Sequence, residues 1–270
     1  MTRLSVRKTY KLYVGGAFVR SESGRYDRAG DHNVPRGSRK DVRDAVLAAR
    51  KAQGPWAART AYNRGQILYR AAEALESRAA DIGAPASEVE TAIDVLVHYA
   101  GWTDKLQPVL GGINPVAAPY LSFSLPEPTG VVGILAPSEP PLLGLVAELA
   151  PALAAGNTVV AALSEADPLP GLDVGEVLGV SDVPGGVVNL LSGRHAELAP
   201  ALAGHRDLNA IVTVGAEPPA QAEIDKLAAD SVTRVRHARP ATSYEDATGD
   251  ALARLEAVTE LKTAWHPVGA

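Results

Sequence analysis

Glu127-Pro-Thr-Gly-Val-Val-Gly-Ile-Leu-Ala-Pro137 runs through Pro141-Leu-Leu143 and Ala150-Pro-Ala-Leu-Ala-Ala-Gly-Asn157 into Thr158-Val-Val160. Its pattern is a short apolar run, a turn with prolines, a longer apolar run, a Gly-Asn stop and a second short apolar run. Apolar runs of strand length on either side of a helix-length run describe one βαβ unit, with strands buried on both faces of a parallel sheet.

The unit repeats downstream. Strands are expected at Thr129–Leu135, Thr158–Ala162, Val187–Leu191 and Ala210–Val214, joined by helices over Pro141–Ala155, Leu169–Val180 and Ala196–Ala203. Such alternation implies right-handed crossovers and a doubly wound sheet. Upstream, Tyr10–Arg20 alternates around Gly15-Gly16 and reads as a hairpin, with the glycines supplying positive φ. Residues 21–40 read as a polar loop. Three helices follow. Asp41–Gln53 is capped by Ser38 or Asp41 and broken by Gly54-Pro55, with Trp56 at the corner. Tyr62–Ile82 and Ser87–Leu106 each place one apolar face inward. His98, on the last of these, reads as a packed, partly exposed histidine. Tyr120–Leu125 alternates as a half-exposed strand. Gln221–Ala229 reads as a short helix, Ser231–Arg239 as a basic strand or loop, and Pro240–Gly249 as linker.

The 270 residues are 46% hydrophobic and 21% charged, with a net charge of −5. This is the composition of a globular protein and argues against nucleic acid or an anionic membrane as partner. Met1–Lys11 lacks the apolar run of a signal peptide, and no stretch reaches the roughly 18 apolar residues of a membrane span. A cytoplasmic location is expected. There is no cysteine, so these residues offer no disulfide, thiolate nucleophile or cysteine-bound metal. No Walker or G-x-G-x-x-G motif is present.

These segments resemble the aldehyde dehydrogenase family over about 10–216 and again over 243–267. The motifs that carry the likeness are Gly15-Gly16, Val95–Gln107, Glu127–Pro137, Asn157–Val160, Pro184–Gly193, Asp207–Gly215 and Asp250–Pro267. The resemblance implies a Rossmann-like α/β fold, a doubly wound parallel sheet with N-terminal helices and a protruding association arm. The expected organisation is a hairpin and helices over 1–107, an oligomerisation arm over 108–127, a degenerate NAD-binding domain over 128–230, a linker over 231–249, and a C-terminal helix and oligomerisation strand over 250–270. In the family the catalytic domain falls between the two regions of likeness, and here that interval is missing.

The resemblance also implies which chemistry is lost. The family's nucleophile is a cysteine. Its oxyanion-hole asparagine falls where this chain has Glu139, and an ionised carboxylate accepts hydrogen bonds and repels a developing oxyanion. The general-base glutamate belongs to the missing interval. No catalytic residue is therefore assigned; Ser192-Gly193 is no nucleophile elbow, and His195 and His205 read as surface histidines. For the cofactor, the family's ribose-binding lysine is replaced by Ala162. Losing a hydrogen bond to a charged group costs about 1.5–3 kcal/mol, about tenfold to a hundredfold in affinity. Glu165 and Gly215 are the remnants that could still meet a nucleotide. Beyond Gly215, Ala216-Glu217-Pro218-Pro219 removes N–H donors and adds a negative charge at a helix start. No cofactor is expected, with NAD or NADP bound weakly at best.

The association segments survive, with Tyr120, Phe123, Leu125, Leu261, Thr263 and Trp265 as their marked residues. In the family the C-terminal strand adds to a neighbouring subunit's catalytic-domain sheet. Two copies of this chain could not satisfy each other in that mode, and an unpaired apolar strand is an aggregation hazard. The expectation is a catalytically inactive pseudoenzyme acting as a structural or regulatory subunit in a hetero-oligomer with a full-length aldehyde dehydrogenase. The alternatives are a nucleotide-binding module using the remnant cleft, aldehyde oxidation expressed only within a complex, and a C-terminal strand that folds back on its own sheet.

Overall fold

The computed structural model describes Leu4 and residues 6–268; the reading of the first eleven residues falls partly outside that range. The chain opens with a hairpin, β1 (Leu12–Val14) and β2 (Ala17–Val19). Gly15 and Gly16 turn it at φ +65° and +83°. A Cβ on Gly16 would lie 2.6 Å from Gly185 Cα, so glycine is required there for approach as well as φ.

The stretch 21–40 is not all loop. Tyr26–Ala29 (β3) and His32–Pro35 (β4) form a second hairpin around Gly30-Asp31. Its strands are short and polar, which hid them. Helix α1 (Arg39–Ala57) starts at Ser38, whose hydroxyl forms a capping box with Asp41, and it runs through Gly54-Pro55 instead of breaking there. A proline so near the C-terminus sacrifices little of the helix's hydrogen bonding. Helix α2 (Ala61–Ser77) ends before Ile82 in a 3-10 turn over Ala79–Asp81. Helix α3 (Ala86–Ala100) stops at Gly101 and is followed by the separate α4 (Leu106–Leu110). The arm is β5 (Gly112–Asn114) and β6 (Tyr120–Pro128), three residues longer than its expected end.

The core alternation then follows: β7 (Val131–Leu135), α5 (Pro141–Ala154), β8 (Thr158–Ala162), α6 (Leu169–Val180), β9 (Val188–Leu191), α7 (His195–Ala203), β10 (Ala210–Val214), α8 (Pro218–Ala229) and β11 (Arg234–Ala238). The main sheet runs β11-β10-β7-β8-β9-β1-β2, parallel from β11 to β9, with β1 and β2 antiparallel at one edge. Helices cover both faces. Val132, Ile134, Val159 and Ala161 pack under α2, α3, α5 and α6, while Val131, Leu135, Val160 and Ala162 pack under α1, α7 and α8. Alternate residues of each strand thus enter opposite cores, which is why the strands read as continuous apolar runs.

The stretch 231–249 is not a linker. β11 is the outer parallel strand, and α9 (Tyr244–Thr248) follows with Ala241 and Ala247 buried. α10 (Ala251–Glu256) then leads into β12 (Thr259–Pro267). Two buried polar groups bind this last segment to the core. Asn157 accepts from Gly130 N and donates to the carbonyls of Ala152 and Val258. Glu148, buried on α5, pairs with Arg254 of α10 and with Arg236 of β11, the latter at 2.6 Å.

Candidate functional site

Parallel strands β7 and β10 are neighbours whose chain connections leave in opposite directions, β7 to β8 and β10 to β11. This is the topological switch point, where a crevice opens outside the C-terminal strand ends. A cleft of about 380 Å³ lies there, walled by Pro137, Ser138, His195, Ala199, Gly215 and Glu223 among others. Among the described residues its lining holds no arginine or lysine.

Glu139 is exposed on the turn that leaves β7. Three residues on, the backbone N–H groups of Leu142 and Leu143, at the start of α5, both donate to Glu88 Oε1 at 2.8 and 2.9 Å. The carboxylate of α3 therefore already occupies the positive end of α5. Nothing in the local sequence marks Glu88 for this role, because the two segments meet only in the tertiary structure.

Glu165 sits exposed on the loop after β8. Its Oε2 accepts from His195 N at 2.8 Å and so caps α7. The His195 ring is not simply at the surface, since its Nε2 faces the Leu163 carbonyl at 2.8 Å. A carbonyl only accepts, so Nε2 carries the proton. Gly215 has φ +70°, and its N–H donates to Ala238 O at 2.9 Å, an extension of the β10–β11 ladder. Gly215 lines the crevice and Glu165 bonds to its wall residue His195, so Glu165 Oε2 and the Gly215 N–H are each engaged within the chain. Helix α8 begins with Pro218-Pro219 after an extended Glu217 that makes no side-chain cap.

The association residues gather on a separate sheet, ordered β12-β6-β5. β12 pairs antiparallel with β6 from Thr259↔Pro128 to Pro267↔Tyr120. The C-terminal strand is therefore not unpaired: one edge is filled by the arm of its own chain, and only its outer edge lacks a strand among the described residues. Tyr120, Leu261, Thr263 and Trp265 share one face. Tyr120 and Trp265 meet edge to face at 6.0 Å, and the hydroxyls of Thr263 and Ser124 are 2.8 Å apart. Phe123 and Leu125 lie on the opposite face, where Ile113 stands opposite Phe123.

Residues 27–238 match the aldehyde dehydrogenase family. This chain belongs to that family. The match continues through α8 and β11, past Gly215 where the motif likeness fades. Among curated relatives, the 2-hydroxymuconic semialdehyde dehydrogenase of Pseudomonas sp. (strain CF600) is 35% identical over 232 residues, 77% of this chain and 48% of the relative. The mitochondrial aldehyde dehydrogenase family 2 member B4 of Arabidopsis thaliana is 33% identical over 227 residues, 76% of this chain and 42% of the relative. Among solved structures, the NAD+ complex of an aldehyde dehydrogenase from Bacillus cereus superposes with a TM-score of 0.79 at 27% identity, covering 86% of this chain and 51% of that one. PnpE from Pseudomonas sp. WBC-3 gives the same TM-score at 28% identity, covering 85% and 50%. The chain spans about half the length of the family members it matches. Among the described residues no helix is long and apolar enough to cross a membrane.

Proposed function

We propose that this family member is catalytically inactive and acts as a structural or regulatory subunit, joining a full-length aldehyde dehydrogenase through the β12-β6-β5 sheet. The observation that carries this reading is that sheet: it presents Leu261 and Trp265, each 59% exposed, beside an outer strand edge with no partner among the described residues. Apolar side chains along an open edge are what strand addition uses. The state of the crevice supports the inactive half of the proposal. A carboxylate stands at position 139, Glu165 Oε2 and the Gly215 N–H are held by internal bonds, and prolines open α8.

The test is co-expression with a full-length relative, a tag on this chain alone, and the native mass of the product. A fixed-stoichiometry complex is expected, and no NADH formed by the purified chain with aldehyde and NAD+. A chain that never associates with such a relative refutes the subunit role. Measurable turnover by the chain alone refutes the inactive assignment.

A second reading rests on the 380 Å³ crevice at the switch point, the ordinary place for a nucleotide in such a sheet. Calorimetry with NAD+, NADP+, ATP and coenzyme A decides it, and saturable heat from any of them that Glu165→Ala changes supports it.

A further inference from the structure

We infer that the crevice at the switch point binds a small organic cation, an amine carried on an apolar body, and turns nucleotides away. The inference is independent of the subunit reading and competes with the nucleotide reading at the same place.

Its basis is what stands at the C-terminal edge of the parallel strands. Helices α5, α6, α7 and α8 follow β7, β8, β9 and β10, so all four begin at that edge. A helix start carries free N–H groups and about half a positive charge, which is how such a sheet holds a phosphate. In this chain each start is filled from within or stripped of donors. Glu88 accepts from Leu142 N and Leu143 N at α5. Asp167 accepts at 3.2 Å from the N–H of Leu169, the first residue of α6. Glu165 accepts from the N–H of His195, the first residue of α7. Helix α8 opens on Pro218-Pro219 behind Glu217, so only Ala220 among its first three residues has an N–H. A whole carboxylate charge outweighs the half charge of a helix start. Four carboxylates set against four helix starts leave this edge with an excess of about two negative charges, before Glu139 and Glu223 are added.

The crevice lies at that edge. Leu135, Pro137, Ala199, Val214 and Ile224 give it apolar walls. One carboxylate, that of the exposed Glu223 on α8, belongs to the lining. Asp225, two residues on, is held by His237 Nε2 at 3.0 Å; Glu223 has no such partner among the described residues. His195 gives its Nε2 proton to the Leu163 carbonyl, which leaves the neutral ring an acceptor at Nδ1. Arg194 and Arg239 stand outside the lining, and Arg194 reaches Asp27 at 3.7 Å. An apolar slot of about 380 Å³ with a free carboxylate and no lysine or arginine among its described lining residues suits an ammonium on an apolar body. A diphosphate meets carboxylates and no charged donor there, and like charges brought together reject a ligand.

Three ligands of nearly one shape test charge alone. Tryptamine, tryptophol and indole-3-propionate share an indole body and end in an ammonium, a hydroxyl and a carboxylate. Calorimetry on the full chain is expected to give saturable heat with tryptamine at a Kd of about 1 mM or tighter. Tryptophol is expected to bind at least about tenfold more weakly, and indole-3-propionate, NAD+ and ATP not at all. Glu223→Gln is expected to weaken tryptamine by about tenfold, the low end for a charged hydrogen bond because the carboxylate is exposed, and to affect tryptophol far less. Ala220→Trp, at an exposed position of the lining, fills the slot and is expected to abolish tryptamine binding while keeping the circular dichroism of the fold. Tryptophol or indole-3-propionate binding as tightly as tryptamine overturns the inference, as does tryptamine binding that either variant leaves unchanged. Saturable binding of NAD+ or ATP also overturns it and supports the nucleotide reading. A crevice that takes none of these ligands overturns it and leaves the subunit role, tested by co-expression, standing.

Discussion

Arg254→Ala is expected to loosen the C-terminal segment, residues 244–268, from the sheet. Arg254 is buried at the end of α10. It pairs with Glu148, donates to the Ala147 carbonyl from Nη1, and donates from Nη2 to the Asp246 carbonyl at 3.0 Å. Removing one partner of a buried ion pair costs about 3–5 kcal/mol, because the remaining charge stays desolvated. Glu148 keeps Arg236 at 2.6 Å, so the lower end applies, about 3 kcal/mol. At about 2–4 °C per kcal/mol for a chain of this size, the melting point falls by roughly 6–12 °C. Urea unfolding followed by circular dichroism measures the loss, and hydrogen exchange should rise first over 244–268. The double variant Glu148→Leu with Arg254→Met replaces the pair by apolar groups of similar volume and is expected near wild type, with the quarter-exposed Arg236 turning to solvent. A loss below about 1 kcal/mol in Arg254→Ala, or a double variant as unstable as the single, refutes the view that Glu148 is a buried charge held by two arginines.

Three further perturbations test other contacts. His98 accepts from Trp102 Nε1 at Nε2 and donates from Nδ1 to the Tyr244 hydroxyl, an arrangement that only the neutral ring completes; burial, reinforced by the Lys105 charge, holds its pKa below the ordinary value. The folded state then binds fewer protons than the unfolded one, so this stability is whole above about pH 6.5 and is lost as pH falls below it toward the depressed folded pKa. His98→Gln should flatten urea midpoints measured between about pH 7 and pH 5, and an unchanged slope would show that His98 does not titrate with folding. Glu165→Ala removes the cap on α7 and should cost about 1 kcal/mol in urea unfolding; a stability identical to wild type would return Glu165 to the pool of free ligand groups. Gly16→Ala forces a Cβ against Gly185 in a left-handed conformation, and should cost about 1–3 kcal/mol in thermal melts, with a neutral result meaning that the hairpin can shift away from the sheet.

Much of the fold is legible in the sequence because β7 to β10 are buried on both faces, and such strands stand out as apolar runs whatever surrounds them. Gly15-Gly16 and Gly156-Asn157 are equally readable, since Gly15, Gly16 and Gly156 adopt φ of +65°, +83° and +92° that few other residues accept. Where partial exposure dilutes the signal, the reading blurs, and 231–239 stays open between strand and loop. β11 spells Arg-Val-Arg-His-Ala, a charged edge strand whose pairing with β10 local pattern does not reveal. β3 and β4 are too short and polar to alternate visibly.

The candidate site divides along the same line. Residue types at 139, 162 and 216–219, and the lack of cysteine, are facts of sequence, legible without any structure. Tertiary structure alone decided what the remaining groups do. Glu165 and Gly215 look free in the chain, but the fold brings His195 and Ala238 to them. Glu88 is an ordinary helix residue until α5 arrives beside it. β12 looks unpaired until β6, more than a hundred residues earlier, fills one of its edges and leaves the other open. Backbone and carboxylate groups carry no label for their partners; only the packing of distant segments determines which of them are spent within the molecule and which face outward.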